Sequence, residues 1–600
     1  MTKIQREKSN KTPSADLAQV DRPVPAGVNA AGFGSDVAAD ALRATEIPYI
    51  ALNPGASYRG FHDSLVNYLG NERPQMLLCL HEESAVAIAH GYAKVTGRAM
   101  AAAVHSNVGL MHATMAMFNA WCDRMPMVVL GATGPVDATK RRPWIDWIHT
   151  AADQGALVRG YTKWDDQPAS PAAAYEAILR ANWIANTAPR GPTYVNLDAG
   201  MQEAKLAEPF TAPDASRLMP VVGDAAPPDM LRKAADLLRA AKSPLILAGR
   251  VSRDEAAWNA RVALAERLSA RVLTDLKVGA AFPTDHPLHA GVPGMIAPVP
   301  DAAEALRSAD VVLSLDWVDV AGTLKAAGVT NAKVIQVSVD HQLHNGWSLD
   351  YQGLPPVDVM LACEPDTAVP YLIDALGAGG LRPVAAPRAR DFAPTGDKLT
   401  VDHLAAALRK AVGDRPASLT HVSLSWNGAS WPFRHPLDYL GSDGGGGVGG
   451  GPGISVGAAL ALKGSERLPI AVCGDGDFLM GVTAIWTAAH YRIPLLVVVA
   501  NNRSFFNDEL HQERVARMRN RPVENRWIGQ RISEPDIDIA AMGRAQGADG
   551  FGPVHKIDEL PGVFAKAIAA VEGGAVAVVD VRVEPGYTAA MTAVMTRKSE

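Results

Sequence analysis

Two polar breakpoints stand directly after apolar runs in the last third of the chain. The run 468–473 ends at Gly474-Asp475-Gly476-Asp477, and the run 493–500 ends at Asn501-Asn502. Glycine lets a backbone approach a bulky anion closely, and the amides at the start of a following helix point toward its charge. The Asp475 carboxylate and the Asn502 side-chain oxygen are hard ligands of the kind that Mg²⁺ prefers. These residue types predict a site for a diphosphate and a magnesium ion.

The elements around these residues decide whether they can meet. Short apolar runs with polar ends are typical of buried strands, and the segment 482–492 between them has helical spacing. A strand, a helix and a second strand predict neighbouring parallel strands, whose carboxyl ends form the ligand-binding edge of open α/β sheets. An ordinary Gly-Asp turn and Asn-Asn loop are the alternative, because such dipeptides are common in loops.

Composition excludes several other classes of function. The chain has 600 residues, is 48% hydrophobic, and carries 57 basic against 63 acidic residues for a net charge of −6. About three domains are expected, and no basic stripe with interleaved aromatic residues suggests nucleic acid. The four cysteines lie far apart, mostly in apolar runs, which predicts reduced thiols in a cytoplasmic protein. No apolar run approaches the length of a membrane span, so no membrane partner is expected.

The alternation of apolar runs and helical segments predicts the α/β class with three open doubly wound parallel-sheet domains. The expected ranges are 29–205 for the first domain, 228–376 for the middle domain and 396–590 for the third. A polar, disordered leader is expected over 1–28. The strand ends of the middle domain carry no GxGxxG fingerprint of dinucleotide binding.

The GDG sequence, the Asn-Asn pair one helix and one strand later, and the three-part layout resemble a known family. It is the thiamine diphosphate (ThDP)-dependent family of acetohydroxyacid synthase, pyruvate oxidase, benzoylformate decarboxylase and pyruvate decarboxylase, and the resemblance covers roughly residues 31–590. It implies that the first domain binds the aminopyrimidine and the third binds the diphosphate and Mg²⁺. Asp475 and Asn502 match the metal ligands, and the third ligand is the backbone carbonyl of Ser504. Beside Gly474, the amides of Gly476 and Asp477 match those that face the diphosphate.

Glu82 is the expected activator of the cofactor. C2 of the thiazolium is a very weak carbon acid, so the protein must help to remove its proton. A glutamate bonded to the pyrimidine nitrogen favours the tautomer that acts as the base. Glu82 follows a predicted strand, and the segment on to 90–98 (HGYAKVTGR) is similar to the corresponding segment of the family. The alternative is that Glu82 and Glu83 only form an acidic first helical turn.

A glycine-rich run, GGGGVGGGPGISVG at 444–457, is similar to the family segment in which one bulky apolar residue bends the cofactor. The resemblance places Val448 at that position, followed by Gly449, although valine is smaller than the usual residue. A flexible glycine linker is the alternative. The apolar helix predicted over 454–462 argues for a structured segment.

Two further residues are candidates for proton transfer. His105 aligns with a histidine of benzoylformate decarboxylase, and a solvated strand-end histidine is the alternative. His112, farther along, is expected to face the core or solvent. Asp508 lies at the offset from Asn502 where pyruvate decarboxylases carry a catalytic glutamate, and a helix N-cap is its alternative role.

Other positions depart from the family. Benzoylformate decarboxylase has a serine directly after its Asn-Pro-Gly turn, whereas this chain has Ala56 and then Ser57. Its second active-site histidine, from the middle domain, has no counterpart in 316–319. The segment 315–320 lacks a flavin pattern, so FAD is not expected. The basic turn 140–142 could serve a CoA phosphate, with a solvated turn as the alternative.

The resemblance implies decarboxylation of a 2-oxo acid, after which the remaining carbon is protonated to an aldehyde or joined to a second carbonyl. A benzoylformate-decarboxylase-like lyase, with or without carboligation, is the leading hypothesis. An acetolactate-synthase-like transferase, a 2-hydroxyacyl-CoA or oxalyl-CoA-type lyase, and a non-catalytic ThDP-binding scaffold are the alternatives. Because the family builds each site between two subunits, a homodimer or homotetramer is expected.

Overall fold

The computed structural model describes residues 20–219, 223, 225–295, 299–329, 331–342, 353–377, 392–587 and 592. Its strands form three sheets in which every pairing is parallel, with helices between most successive strands. The predicted α/β class with three open parallel sheets is confirmed. Each sheet is built from one consecutive stretch of chain, and residues 1–19 of the expected leader lie outside the described residues.

The first sheet has six strands in the order β2-β1-β3-β4-β6-β5. The strands are β1 Tyr49–Leu52, β2 Gln75–Leu78, β3 Met100–Val104, β4 Met127–Thr133, β5 Trp164–Asp166 and β6 Pro192–Asp198. The helices are α1 Gly34–Ala44, α2 Arg59–Asp63, α3 Glu82–Thr96, α4 Ser106–Cys122, α5 Asp146–His149, α6 Pro171–Asn186 and α7 Ala199–Glu203. The sequence predicts that the strand over 193–197 is the last strand of this sheet. In the structure that strand is β6, and β5 pairs with its far side to form the edge. A strand of three half-buried residues has too little apolar pattern to be recognised.

The middle sheet has five strands in the order β11-β10-β9-β7-β8. The strands are β7 Pro244–Ala248, β8 Arg271–Leu273, β9 Val311–Leu315, β10 Lys333–Val337 and β11 Val359–Leu361. The helices are α8 Pro228–Ala240, α9 Glu255–Leu268, α10 Pro300–Ser308, α11 Val320–Ala327 and α12 Pro365–Leu376.

The third sheet has five strands in the order β12-β13-β14-β16-β15. The strands are β12 Ala417–Val422, β13 Leu468–Gly474, β14 Leu495–Asn501, β15 Asp549–Val554 and β16 Val576–Arg582. The helices are α13 Val401–Val412, α14 Gly450–Leu462, α15 Asp475–Gly481, α16 Thr483–His490, α17 Phe506–Met518, α18 Ile539–Ala545 and α19 Leu560–Glu572. The crossover predicted as one helix is two, α15 and α16, and it begins at Asp475 itself.

No helix of the described residues is both long and apolar enough to span a membrane. The four cysteines, all of which belong to described ranges, form no disulfide with one another.

The first and third domains share one hydrophobic core, in which α3 packs against α14. Glycines permit this approach, because a Cβ at Gly91 would overlap the carbonyl oxygen of Ile454 and a Cβ at Gly457 would overlap that of Ile88. The helix starts adjoin as well, since the Cβ position of Gly453 lies 2.7 Å from the Ala87 methyl carbon. The packing therefore brings Glu82, at the start of α3, beside the glycine-rich segment that precedes α14.

We expect Gly91→Ala to destabilise the fold by about 2 kcal/mol or more, because the new methyl group meets a backbone carbonyl that has no room to move. Gly562→Ala is the matched control, since the same change at this exposed position of α19 meets nothing within 4 Å. That control gains up to about 1 kcal/mol from helix propensity. Urea denaturation of both variants measures the difference, and equal stabilities would refute the close helix contact.

Candidate active site

The two predicted breakpoints lie side by side at the carboxyl edge of the third sheet. Strands β13 and β14 are neighbours, and Gly474 pairs in register with Ala500. Asp475 and Asn502 therefore follow adjacent strand ends. Asp475 opens α15 and is 3% exposed, and Asn502 is half-buried.

One backbone amide draws the two candidate metal ligands together. The Ser504 N–H donates to Oδ2 of Asp475 at 3.1 Å and to Oδ1 of Asn502 at 2.9 Å. The chain turns sharply at Arg503, whose φ of +57° lies in the left-handed region. Burial raises the pKa of Asp475 to about 6, although several backbone amides act to lower it. No cationic partner among the described side chains contributes to lowering this pKa. A divalent cation would supply that partner.

The two asparagines at the end of β14, Asn501 and Asn502, have different contacts. Asn501 is buried, its amide group donates to Oδ1 of Asp580 at 2.8 Å, and its own oxygen accepts the Arg503 N–H at 3.2 Å. Asn501 thus braces the turn against β16, so Asn502 is the better candidate for a side-chain oxygen that binds a metal ion.

The two glycines that flank Asp475, Gly474 and Gly476, differ in what surrounds them. A Cβ at Gly474 would meet nothing within 4 Å, so its face is open to a ligand. A Cβ at Gly476 would lie 2.5 Å from the ring of Phe505, so this glycine is needed for packing.

Ser423 and Ser425 follow β12, where Val422 pairs with Val472, and their hydroxyl oxygens lie 3.1 Å apart. These hydroxyl donors border the same edge. The strand before them, ASLTHV, mixes apolar with polar residues, so no apolar run marks their position in the sequence.

The carboxylate of Asp477 is bound by two backbone amides and a histidine of the chain itself. Its Oδ1 accepts the amides of Gly449 at 2.8 Å and Gly451 at 3.2 Å, and Nε2 of His421 lies 3.3 Å from its Oδ2. Burial alone would raise the pKa of Asp477, but His421 and the two amides outweigh it and the pKa is lowered. Val448 precedes these anchored glycines and is 45% exposed.

Glu82 begins α3, is buried, and has an unexpected neighbour. Its Oε2 lies 3.1 Å from Nδ1 of His112, whose side chain is 59% exposed. The Cβ position of Gly109 lies 2.9 Å from Oε1 of Glu82, so a larger residue would crowd the carboxylate. The sequence predicts that His112 faces the core or solvent, whereas its contact with Glu82 depends on the path of α4.

His105 follows β3 and is held in one tautomer by Ser57. The Ser106 N–H donates to the Ser57 hydroxyl oxygen at 3.1 Å, and that oxygen lies 2.9 Å from Nδ1 of His105. The Ser57 N–H donates to the same nitrogen at 3.4 Å. Nδ1 is therefore an acceptor, and the proton of the neutral ring is on Nε2. Gly55 cannot be larger, because a Cβ there would overlap the His105 side chain.

A second histidine, not anticipated from the sequence, lies beside His105. The ring of His149 in α5 meets that of His105 edge-on, with centroids 4.8 Å apart. Its position is set by Arg142, whose guanidinium pairs with Asp146 at 2.8 Å, and by the Gly134 N–H, which donates to the His149 carbonyl at 2.9 Å. The pKa of His105 is lowered, chiefly by burial and next by electrostatic repulsion from His149. No local pattern in 135–150 signals this approach.

Asp508 and its neighbour Glu509 occupy different environments on α17. Asp508 is exposed, whereas Glu509 is buried and its Oε1 accepts the Ser504 hydroxyl at 2.7 Å. Arg526 and Arg531 each lie 3.3 Å from the Glu509 carboxylate. Glu509 thus braces the turn that carries Ser504, and a catalytic role for Asp508 stays a prediction.

The strand ends of the middle domain form an ion-pair network. Arg250 pairs with Asp316 at 3.2 Å and with Asp340, and Arg124 of the first domain pairs with Asp340 at 2.8 Å. These residues border a cavity of about 1350 Å³ between the two domains. The charges that face this cavity from the strand ends are mutually compensated.

The oxygen-only donor set of Asp475, Asn502 and Ser504, the buried carboxylate and the open face of Gly474 fit a magnesium-bound diphosphate. Three sequence families match the chain in the order of its sheets. They are described as the N-terminal TPP binding domain (residues 33–157), the central domain (231–345) and the C-terminal TPP binding domain (423–581) of thiamine pyrophosphate enzymes. The chain belongs to this family of ThDP-dependent enzymes, which act as carboxy-lyases or carboligases.

Among individual relatives, the chain is similar to a probable 2-ketoarginine decarboxylase of Pseudomonas aeruginosa, with 28% identity over 84% of this chain and 85% of the relative. It is 25% identical to the benzoylformate decarboxylase of the same organism, over 82% of this chain and 89% of that one. The solved 4-hydroxybenzoylformate decarboxylase of Rhodococcus jostii shares the fold, with a TM-score of 0.74, 23% identity, and coverage of 93% and 100%.

We expect Ser57→Ala to raise the pKa of His105, because the lost hydroxyl donor stabilises the ring with Nδ1 unprotonated. In the wild type the neutral form persists below the unperturbed pKa of about 6.5, and in the variant protonation begins at higher pH. A pH titration of the His105 ring by NMR on histidine-labelled protein measures the shift. Ser216→Ala, in an exposed turn, is the control, and an unchanged or lower pKa in Ser57→Ala would contradict the assigned tautomer.

Proposed function

We propose that the chain is a ThDP- and Mg²⁺-dependent decarboxylase of a 2-oxo acid, similar to benzoylformate decarboxylase. The observation that carries this proposal is the neutral, tautomer-locked His105 on the domain that also presents Glu82. ThDP, when bound, supplies an electron sink for the loss of CO₂. The name of one relative, benzoylformate decarboxylase, supports the same reaction class.

Asp475, Asn502 and the carbonyl of Ser504 hold the magnesium ion in this proposal. The support is the Ser504 N–H, which donates to side-chain oxygens of both Asp475 and Asn502 and so holds these two oxygens near each other. Gly474 and the amides of Gly476 and Asp477 hold the diphosphate, with Ser423 and Ser425 as further donors.

Glu82 holds a proton against the pyrimidine nitrogen of the cofactor in this proposal. A buried carboxylate serves this purpose because the surrounding apolar groups strengthen its hydrogen bond. His112 competes for the same carboxylate, so cofactor binding must displace or share that contact.

His105 moves a proton at Nε2, while Ser57 keeps Nδ1 occupied. A single neutral tautomer makes this histidine a proton donor at a defined atom. His149, whose ring contacts that of His105, opposes protonation of His105 and so favours its neutral form.

A CoA thioester is a weaker candidate for the substrate. Arg141 donates from Nε to the Pro135 carbonyl at 2.8 Å, and Arg142 is paired with Asp146. These contacts already occupy the guanidinium groups that would have to bind a CoA phosphate. FAD is likewise not part of the proposal, because Arg250, Asp316 and Asp340 compensate one another at the middle strand ends.

The decisive experiment incubates the Mg²⁺–ThDP-loaded protein with a panel of 2-oxo acids, with and without an acceptor aldehyde, and follows CO₂ and products. A decarboxylase releases CO₂ and forms an aldehyde without the acceptor. A requirement for the acceptor would replace the proposal with the transferase alternative.

We expect Glu82→Gln to slow hydrogen–deuterium exchange at C2 of bound ThDP by about 100-fold or more, a typical loss for a positioned acid–base group. Glu83→Gln is the matched control, because it removes the neighbouring carboxylate of the same helical turn. NMR of quenched samples measures the exchange. Equal rates in Glu82→Gln and wild type would remove Glu82 from the mechanism.

The proposed enzyme is at least a homodimer. Large apolar side chains near the candidate residues are exposed, among them Met111, Trp147 and Met480. Such a surface favours association with another copy. Within one chain α3 and α14 already adjoin, so the number of chains that contribute to each site needs its own test.

Mixing two inactive variants provides that test. Chains with Glu82→Gln and chains with Asp475→Asn, carrying different tags, are co-expressed and the mixed dimers are isolated. If each site takes Glu82 from one chain and Asp475 from the other, a mixed dimer keeps one intact site and about half of the wild-type activity. Inactive mixed dimers would instead place each site within a single chain.

A further inference from the structure

The glycine-rich segment before α14 contains little that could fix its own shape. Four glycines precede Val448 and three follow it, at 444–451. Glycine has the largest conformational freedom of any residue, so this segment loses much entropy when it is ordered. Groups outside the segment must therefore set the position of Val448.

Side chains from two domains hold the amides on both sides of Val448. After it, the amides of Gly449 and Gly451 both donate to Oδ1 of Asp477. Before it, the Gly447 N–H donates to Oδ1 of Asn119 in α4 at 3.3 Å. Val448 is the residue between these two anchors.

Asp477 also takes the place of a helix cap. The N-cap residue of α14 is Gly449, with a φ of +106° and no side chain to satisfy the first amides. The Asp477 carboxylate accepts two of them, and a negative charge at a helix N-terminus is favourable. His421, at the end of β12, lies against the other oxygen and balances the charge that would otherwise be buried.

The same carboxylate lies two residues after Asp475. We propose that Asp477 is a positioning residue that fixes Val448 relative to the strand end where the diphosphate is held. It thereby sets the conformation in which the cofactor is bound. This inference rests on the proposed function and deepens it. The carboxylate acts through the backbone of Gly449 and Gly451 and needs no contact with substrate.

The first test uses the cofactor-free full-length chain, so it reads the contact itself. Hydrogen exchange of the peptide 446–453 is measured by mass spectrometry in wild type, Asp477→Ser, Asp477→Asn and Asp414→Asn. Asp477→Ser removes the carboxylate and leaves a shorter, uncharged side chain, and we expect about tenfold faster exchange in this peptide. Asp477→Asn keeps an acceptor oxygen and restores part of the protection, and the exposed Asp414 is the charge control. Unchanged exchange in Asp477→Ser would overturn the inference.

The second test asks whether Asp477 acts through Val448. Hydrogen–deuterium exchange at C2 of bound ThDP is measured in Asp477→Ser, Val448→Gly and the double variant of the holoenzyme. We expect each single change to slow exchange by about tenfold and the double variant to be no slower than Val448→Gly. Multiplied effects would overturn the inference, because general damage to the fold does not depend on Val448.

Failure of the inference and failure of the proposed function give different results. If wild type binds ThDP and exchanges C2 normally while Asp477→Ser matches it, only the role of Asp477 is refuted. If wild type neither binds ThDP nor accelerates C2 exchange, the proposed function is refuted and the positioning role falls with it.

Discussion

The register of two parallel strands is the constraint on which the site depends. Pairing of Gly474 with Ala500 brings Asp475 and Asn502 to one edge, where the single amide of Ser504 holds both oxygens. A slip of one residue would turn each side chain to the opposite face of its strand. The buried valines and leucines of β13 and β14 therefore determine the site as much as its polar residues do.

The contact between α3 and α14 extends that constraint to a second domain. Glycines at 91 and 457 let the helices pack backbone to backbone, and the hydrophobic core runs continuously across the boundary. Glu82 and the segment around Val448 are consequently placed by the same packing. The carboxylates of Asp477 and Glu509 then brace the two loop stretches next to the site, the glycine-rich segment and the Ser504 turn.

Much of this arrangement could be predicted from the sequence, because apolar runs with abrupt polar ends mark parallel strands and their ligand edge. Such runs reveal β13 and β14, and with them Asp475 and Asn502. The edge strand β5 is missed because three half-buried residues carry no periodic signal. The contacts of His149 with His105, of His112 with Glu82 and of Asp477 with Gly449 depend on how distant loops and helices pack, which local spacing does not encode.

The central claim is that one cradle at the ends of β13 and β14 grips a metal-bound diphosphate. A crystal structure of the protein soaked with ThDP and Mn²⁺, with anomalous diffraction from manganese, tests it most directly. The account predicts one strong anomalous peak coordinated by Asp475, Asn502 and the Ser504 carbonyl, with the diphosphate against Gly474 and Gly476. A bound cofactor whose metal lies away from these oxygens would contradict it.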